Sequence, residues 1–210
     1  VRFVGECVAV IISETATQGV DAAEAVFVDY EPLPVVVDME EALTDEVVVY
    51  AEVGTNLAID FSAIGMATGI TDETFFANCD VVTSGRVAHQ RTAAAPLEVR
   101  STAAAWDGDK LVFWTSNQAP QGVKGVLGTM YAETATGGVQ VIVPDVGGGF
   151  GAKIAAYPED VLLPWLAQKI GRPMRWFETR TENMQAMGPG RAHVHRFTLG
   201  GSADGNLTHY

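Results

Sequence analysis

The stretch VPDVGGGFGAK, residues 143–153, constrains this chain more than any other. Three consecutive glycines are followed by one aromatic residue and a further glycine. Such a run gives up conformational entropy on folding and is kept where backbone must approach a neighbour closely or turn through a left-handed conformation. The run VQVIVP before it is rich in β-branched residues and reads as a strand. The segment YPEDVLLPWLAQKIG after it reads as a helix. Pro158 stands in its first turn with Glu159 and Asp160 behind it, Gly171 and Pro173 close it, and Pro164 is expected to kink it. The chain is therefore expected to present a glycine loop between a strand and a helix.

Several partners suit such a loop. A dinucleotide-binding turn has the same order of elements, and Gly147, Gly149 and Ala152 satisfy G-x-G-x-x-G/A, with Glu178 ending the next strand as a ribose-binding acid. Against this, a dinucleotide-binding helix begins at the glycines so that its N-terminal N–H groups face the pyrophosphate, whereas here the start signals wait until Pro158. No Gly-Lys-Ser or Gly-Lys-Thr occurs, so the loop is not a P-loop. A turn without any ligand is the plain structural reading. The remaining one is a loop that aims backbone N–H donors at an anion or a metal-oxo group while Phe150 shapes the pocket.

Charge divides the chain. Residues 1–85 hold one basic side chain, Arg2, against 16 Asp and Glu, while 12 Lys and Arg stand against 10 acids from Arg86 onward. Two units meeting near residue 85 are expected, with any anionic ligand on the second. The net charge of −13 excludes a nucleic-acid footprint. No apolar run approaches the roughly 18 residues of a membrane span. Two cysteines, Cys7 and Cys79, are too few for a disulfide scaffold and fit a reducing cytoplasm. The sequence opens without Met inside a strand-like pattern and ends in what reads as an interrupted hairpin, so a fragment or processed chain is expected.

Strand patterns in VRFVGECVAVIIS and VFVDYEPLPVVVD, with a short Thr-capped helix between them, give β–α–β over residues 1–40. Residues 41–78 read as a linker or surface loop. Strands resume at CDVVTSGRVAHQ, and STAAAWDGDKLVFWTSN is a hairpin turning on Asp107-Gly108. APQGVKGVLGTMYAET reads as a helix weakened by Gly122, Gly125 and Gly128, and PMRWFE as a further strand. The fold class is α+β.

VIVPDVGGGFGAK, with WTSNQAP upstream, resembles the molybdenum-cofactor-binding large subunit of the xanthine oxidase family, in the branch of aerobic carbon monoxide dehydrogenase large subunits. DAAEAVFVDYEPLPVVVDMEEAL, HQRTAAAPLEVR, YPEDVLLPWLAQKIGRPMRWFETRTENM and GPGRAHVHRF are similar to that family's segments in the same order, so the resemblance covers nearly the whole chain. It implies the C-terminal part of an α/β hammerhead domain over residues 1–45, a linker over 46–78, and the N-terminal part of a mixed α/β molybdopterin-binding domain over 79–210. It implies a molybdopterin-type cofactor, in the cytosine dinucleotide form, whose metal is held by pterin sulfurs and not by protein side chains. Gly149, Phe150 and Gly151 match the cofactor loop, whose N–H groups approach an oxo ligand while Phe150 borders the substrate channel. Gln118 matches the amide that hydrogen-bonds the oxo group, and a neutral donor suits that task because it adds no charge at the metal.

The resemblance further implies an FAD-binding medium subunit and a 2Fe-2S small subunit as partners, in a dimer of heterotrimers. The family's catalytic Glu and its remaining pterin contacts match nothing in these residues, so the 210 residues alone are expected to be inactive. Ile154 stands where xanthine oxidases carry a substrate-binding Glu, which disfavours a purine. The alternative is a stand-alone α/β nucleotide-binding module using residues 147–152. Of the other polar residues, His193 and His195 alternate on a strand but lack a third ligand for zinc, and read as surface residues. Arg180 and Glu182 read as a loop ion pair.

Overall fold

A computed structural model describes residues 1–61 and 72–210. The elements run α1 (Ala16–Glu24), α2 (Met39–Ala42), α3 (Asp72–Phe75), β1 (Val81–Thr92), β2 (Ser101–Asp107), β3 (Lys110–Thr115), α4 (Pro120–Met130), β4 (Val139–Ile142), α5 (Pro158–Ile170), β5 (Met174–Phe177), α6 (Arg180–Ala186), β6 (Gly190–Gly201) and β7 (Leu207–His209). The chain forms two compact units, each built from two segments: residues 1–29 with 92–190, and residues 30–91 with 191–210.

In the first unit the sheet order is β4-β3-β2-β5. β2 pairs antiparallel with β3 and with β5, and β3 pairs parallel with β4. The β2–β3 hairpin turns through Gly108-Asp109, one residue later than the sequence reading, because Asp107 still pairs with Lys110 and Gly108 takes φ +60°. The parallel β3–β4 pair needs a crossover, and α4 supplies it. Val123 and Leu127 on one face of α4, with Tyr131 at its C-cap, enter the core with Ala104, Leu111, Phe113, Leu163 and Ala167. α5 starts at Pro158, continues past Pro164 and stops at Gly171 with φ +67°. Trp106 Nε1 donates to the Pro164 carbonyl at 2.8 Å.

α1 is capped as its sequence requires: the Gln18 N–H donates to Thr15 Oγ1 and the Thr15 N–H to Gln18 Oε1. The strands expected on either side of α1 are corrected. Residues 1–15 and 26–38 belong to no strand, and Val8, Val10, Phe27, Leu33 and Val35 stand exposed. An alternating apolar pattern makes a segment fit for a sheet, but a strand also needs a neighbouring strand to bond its N–H and C=O groups, and neither segment pairs with a strand among the described residues.

The second unit carries a sheet of order β1-β6-β7. β6 and β7 form an antiparallel hairpin with an irregularity at Gly200/Gly201, which is the hairpin expected at the end of the chain. Glu40, in α2, accepts from both Arg86 of β1 and Arg196 of β6, and these two bonds hold its carboxyl below the usual range. The linker reading for residues 41–78 falls in part on 62–71, outside the described residues.

Candidate cofactor site at the glycine loop

Between β4 and α5 the chain turns through several left-handed positions: Gly148 at φ +99°, Phe150 at +53° and Gly151 at +90°. Phe150 pays strain that a glycine would avoid. Its ring stands 76% exposed at the loop apex, while Gly149 behind it is buried. A Cβ on Gly149 would collide with the Gln118 side chain. The glycine is therefore required by the close approach of Gln118.

Gln118 reaches the loop because β3 ends three residues before it and Pro120 begins α4 two residues after it. Its N–H donates to the Lys153 carbonyl at 2.8 Å. Its Oε1 accepts from the Gly151 N–H at 3.0 Å and the Lys153 N–H at 3.3 Å. Two donors on one side fix the amide with its oxygen toward the loop, which leaves Nε2, the amide's donor, without a hydrogen bond among the described residues. The Gly151 N–H is thus engaged by Gln118. The Gly149 and Phe150 N–H groups make no hydrogen bond among the described residues. Buried Asn117 anchors the same turn: its Oδ1 accepts from the Ala119 N–H at 2.7 Å and its Nδ2 donates to the Ala155 carbonyl at 3.0 Å.

The loop ends converge on Glu98, a residue the sequence reading passed over. Glu98 Oε2 accepts from the Gly147 N–H at 2.9 Å and from Lys153 Nζ at 2.7 Å. A lysine at the end of a glycine loop, in an otherwise apolar stretch, is the sequence signal that marks this pair.

Below the loop lies a polar cleft lined by Arg100, Thr115, Asn117, Lys153, Tyr157 and Asp160, with a volume of about 10 Å³. That is room for about one water, not for a cofactor. Burial works against the Arg100 charge, but the Glu178 and Glu159 carboxylates outweigh it and hold the guanidinium above its ordinary pKa. Its carbon also lies 3.9 Å from the Tyr157 ring centroid. Asp160 is shifted upward by burial, against the Tyr157 N–H bond and the Arg100 charge.

The dinucleotide alternative does not survive this geometry. α5 begins at Pro158, seven residues past Gly151, so the helix that follows the loop does not open at the glycines. Glu178, its ribose-binding acid, is buried and accepts from Arg100 Nε at 2.9 Å and from Asn183 Nδ2 at 2.7 Å. The Arg180–Glu182 ion pair is also corrected. Arg180 donates to Asn183 Oδ1 and the Leu97 carbonyl, while Glu182 completes a capping box with Thr179 at the start of α6.

β6 does bring His193 and His195 together, and β1 adds His89, which the sequence reading had not joined to them. Paired contacts at Ser84–Thr198 and Gly85–Phe197 run β1 antiparallel to β6 and set His89 across from His193. The ring centroids lie 5.3 Å apart for His89–His195 and 5.4 Å for His193–His195. No group of three His, Cys, Asp or Glu among the described residues is disposed to hold a metal ion, and all three of these rings stand on the exposed surface.

Residues 51–210 match the model of the molybdopterin cofactor-binding domain family. The chain is 33% identical to the nicotine 6-hydroxylase large subunit of Paenarthrobacter nicotinovorans, a match covering 99% of this chain and 25% of that protein. It is 31% identical to the carbon monoxide dehydrogenase large chain of Hydrogenophaga pseudoflava, covering 99% of this chain and 27% of that one. Among solved structures, quinoline 2-oxidoreductase from Pseudomonas putida 86 superposes with a TM-score of 0.77 at 29% identity, over 93% of this chain and 24% of that one. The chain thus spans about a quarter of the length of these relatives.

Proposed function

Because the chain belongs to the family of molybdopterin cofactor-binding domains, we propose that it is part of the large subunit of a molybdenum hydroxylase that oxidises a small substrate with oxygen drawn from water. Carbon monoxide, an aldehyde and an N-heterocycle are the candidate substrates. The N-heterocycle is placed first, since the nicotine and quinoline enzymes are among the relatives. The observation that carries the reading is the Gln118 amide, held by its oxygen with no hydrogen bond at Nε2 among the described residues, beside the unengaged N–H groups of Gly149 and Phe150.

The donor set fits the cofactor. It offers neutral N–H groups and a glycine cradle and no cysteine or histidine ligand, which suits a metal that brings its own sulfur ligands. Gln118 and the Gly149 and Phe150 amides would hold it, in a cytosine dinucleotide form, and Gly151 would serve by fixing the Gln118 oxygen. When bound, the cofactor supplies two-electron redox chemistry. The protein supplies orientation: N–H dipoles already in place stabilise negative charge that develops during reaction, and the exposed Phe150 ring borders the substrate's approach. The base for the reaction, a Glu in the resemblance, is expected elsewhere in the full-length subunit.

Residues 1–45 are assigned to the end of an α/β hammerhead whose extended segments take their strand partners from elsewhere in the full-length subunit. Residues 46–78 are assigned to a linker and 79–210 to the first part of the cofactor-binding domain. Medium FAD and small 2Fe-2S subunits would receive the electrons, in a cytoplasmic dimer of heterotrimers. No helix among the described residues is long and apolar enough to cross a membrane.

The test is made on the full-length complex, assayed with quinoline, an aldehyde and carbon monoxide. Gln118→Ala is expected to lower kcat on the preferred substrate by about 10²–10³-fold and to alter the Mo(V) electron paramagnetic resonance signal. Unchanged turnover together with an unchanged signal would remove Gln118 from the site.

A further inference from the structure

We infer that Glu98 and Lys153 are positioning residues that clamp the two ends of the glycine loop and thereby set the Gln118 amide; this rests on the function proposed above. Lys153 is 1% exposed, and a cation so buried is tolerated only where acceptors surround it. All its Nζ partners come from one short segment: Glu98 Oε2 at 2.7 Å, the Glu98 carbonyl at 2.9 Å and the Val99 carbonyl at 3.5 Å. The same Glu98 oxygen takes the Gly147 N–H, and the Glu98 N–H donates to the Gly147 carbonyl at 3.2 Å. The start and the end of the loop are therefore tied to one residue.

Lys153 also links this anchor to the donor. Its side chain bonds Glu98, while its backbone N–H and carbonyl both bond Gln118. The span 148–152 arches between these ties and carries the unengaged N–H groups of Gly149 and Phe150. The clamp's bonds are polar ties between residues 98–99 and 147–153 and use none of Leu111, Phe113, Val123 and Leu127, so releasing them is expected to free the arch before the apolar core opens.

A clamp that acts through Gln118 makes a non-additive pair with it. In the full-length enzyme, Lys153→Met is expected to lower kcat by about 10- to 100-fold, to change the Mo(V) signal, and to add less than about twofold to the loss in Gln118→Ala. Hydrogen exchange supplies a readout that needs no cofactor: in cofactor-free protein, peptides covering 147–153 should exchange faster in Lys153→Met while peptides of the β2–β3 hairpin stay protected. If Lys153→Met does not fold, Glu98→Gln replaces it; this keeps an acceptor and both carbonyls for Nζ, removes the charge, and is read in the same way. Unchanged exchange over 147–153, or kinetic losses that simply multiply with Gln118→Ala, overturns the clamp. Absence of molybdenum from the wild-type enzyme overturns the function proposed above, whatever the exchange shows.

Discussion

Arg100 shows how much of this structure rests on single side chains. Its Nε and Nη2 reach Glu178 Oε1 at 2.9 and 2.5 Å, and the Glu178 side chain is 0% exposed. Arg100→Met should strand that carboxylate in the interior and destabilise the full-length subunit by about 3–5 kcal/mol. Denaturant unfolding checks this, and a loss below about 1 kcal/mol would place the pair among those of little consequence. Asp160 makes an opposite case. Burial raises its pKa, so the folded state holds the proton more tightly than the unfolded chain does, and stability falls as pH rises from the ordinary Asp value of 3.8 through the folded one. Asp160→Asn retains an oxygen for the Tyr157 N–H and should flatten that part of the curve. Thermal midpoints between about pH 4 and 7 test it, and a slope equal to wild type would discount Asp160.

Elements divide by whether their signals are local. Pro158, Gly171 and a Thr cap ahead of α1 mark helix ends in the sequence and mark the same ends in the structure, where Thr15 completes its cap with Gln18, because caps act within one turn. The turn at Gly108 was legible to within one residue. The segments flanking α1 were not, since their pattern was right for strands and only a partner could make them so. α4 keeps three glycines at a cost. Gly125 and Gly128 face open space and have no left-handed φ, so Ala at either site should stabilise the subunit by about 0.5–1 kcal/mol. A lower thermal midpoint in Gly125→Ala would instead reveal that this face is covered in the full-length subunit.

At the scale of the molecule, the charge step near residue 85 anticipated two units, yet the chain passes between the units three times, after residues 29, 91 and 190. Composition varies along the chain, whereas a unit is defined by contacts that ignore chain order. The sheet order β4-β3-β2-β5 is similar in kind: the hairpin is local, but β5 joins β2 from far along the chain.

Of the candidate site, the sequence by itself determined the glycine loop, the aromatic residue within it and the helix that follows, whereas Gln118 was singled out only by the resemblance. Those features follow from backbone freedom, capping and residue chemistry, which act over a few positions. Tertiary structure alone decided that Gln118 presents its oxygen to Gly151 and Lys153, that Glu98 gathers both loop ends, that Glu178 is consumed by Arg100, and that His89 joins His193 and His195. Each of these joins residues far apart in the chain. Their meeting depends on which strands pair and how the helices cover the sheet, and that is fixed by burial of the whole core, which no short stretch of sequence contains.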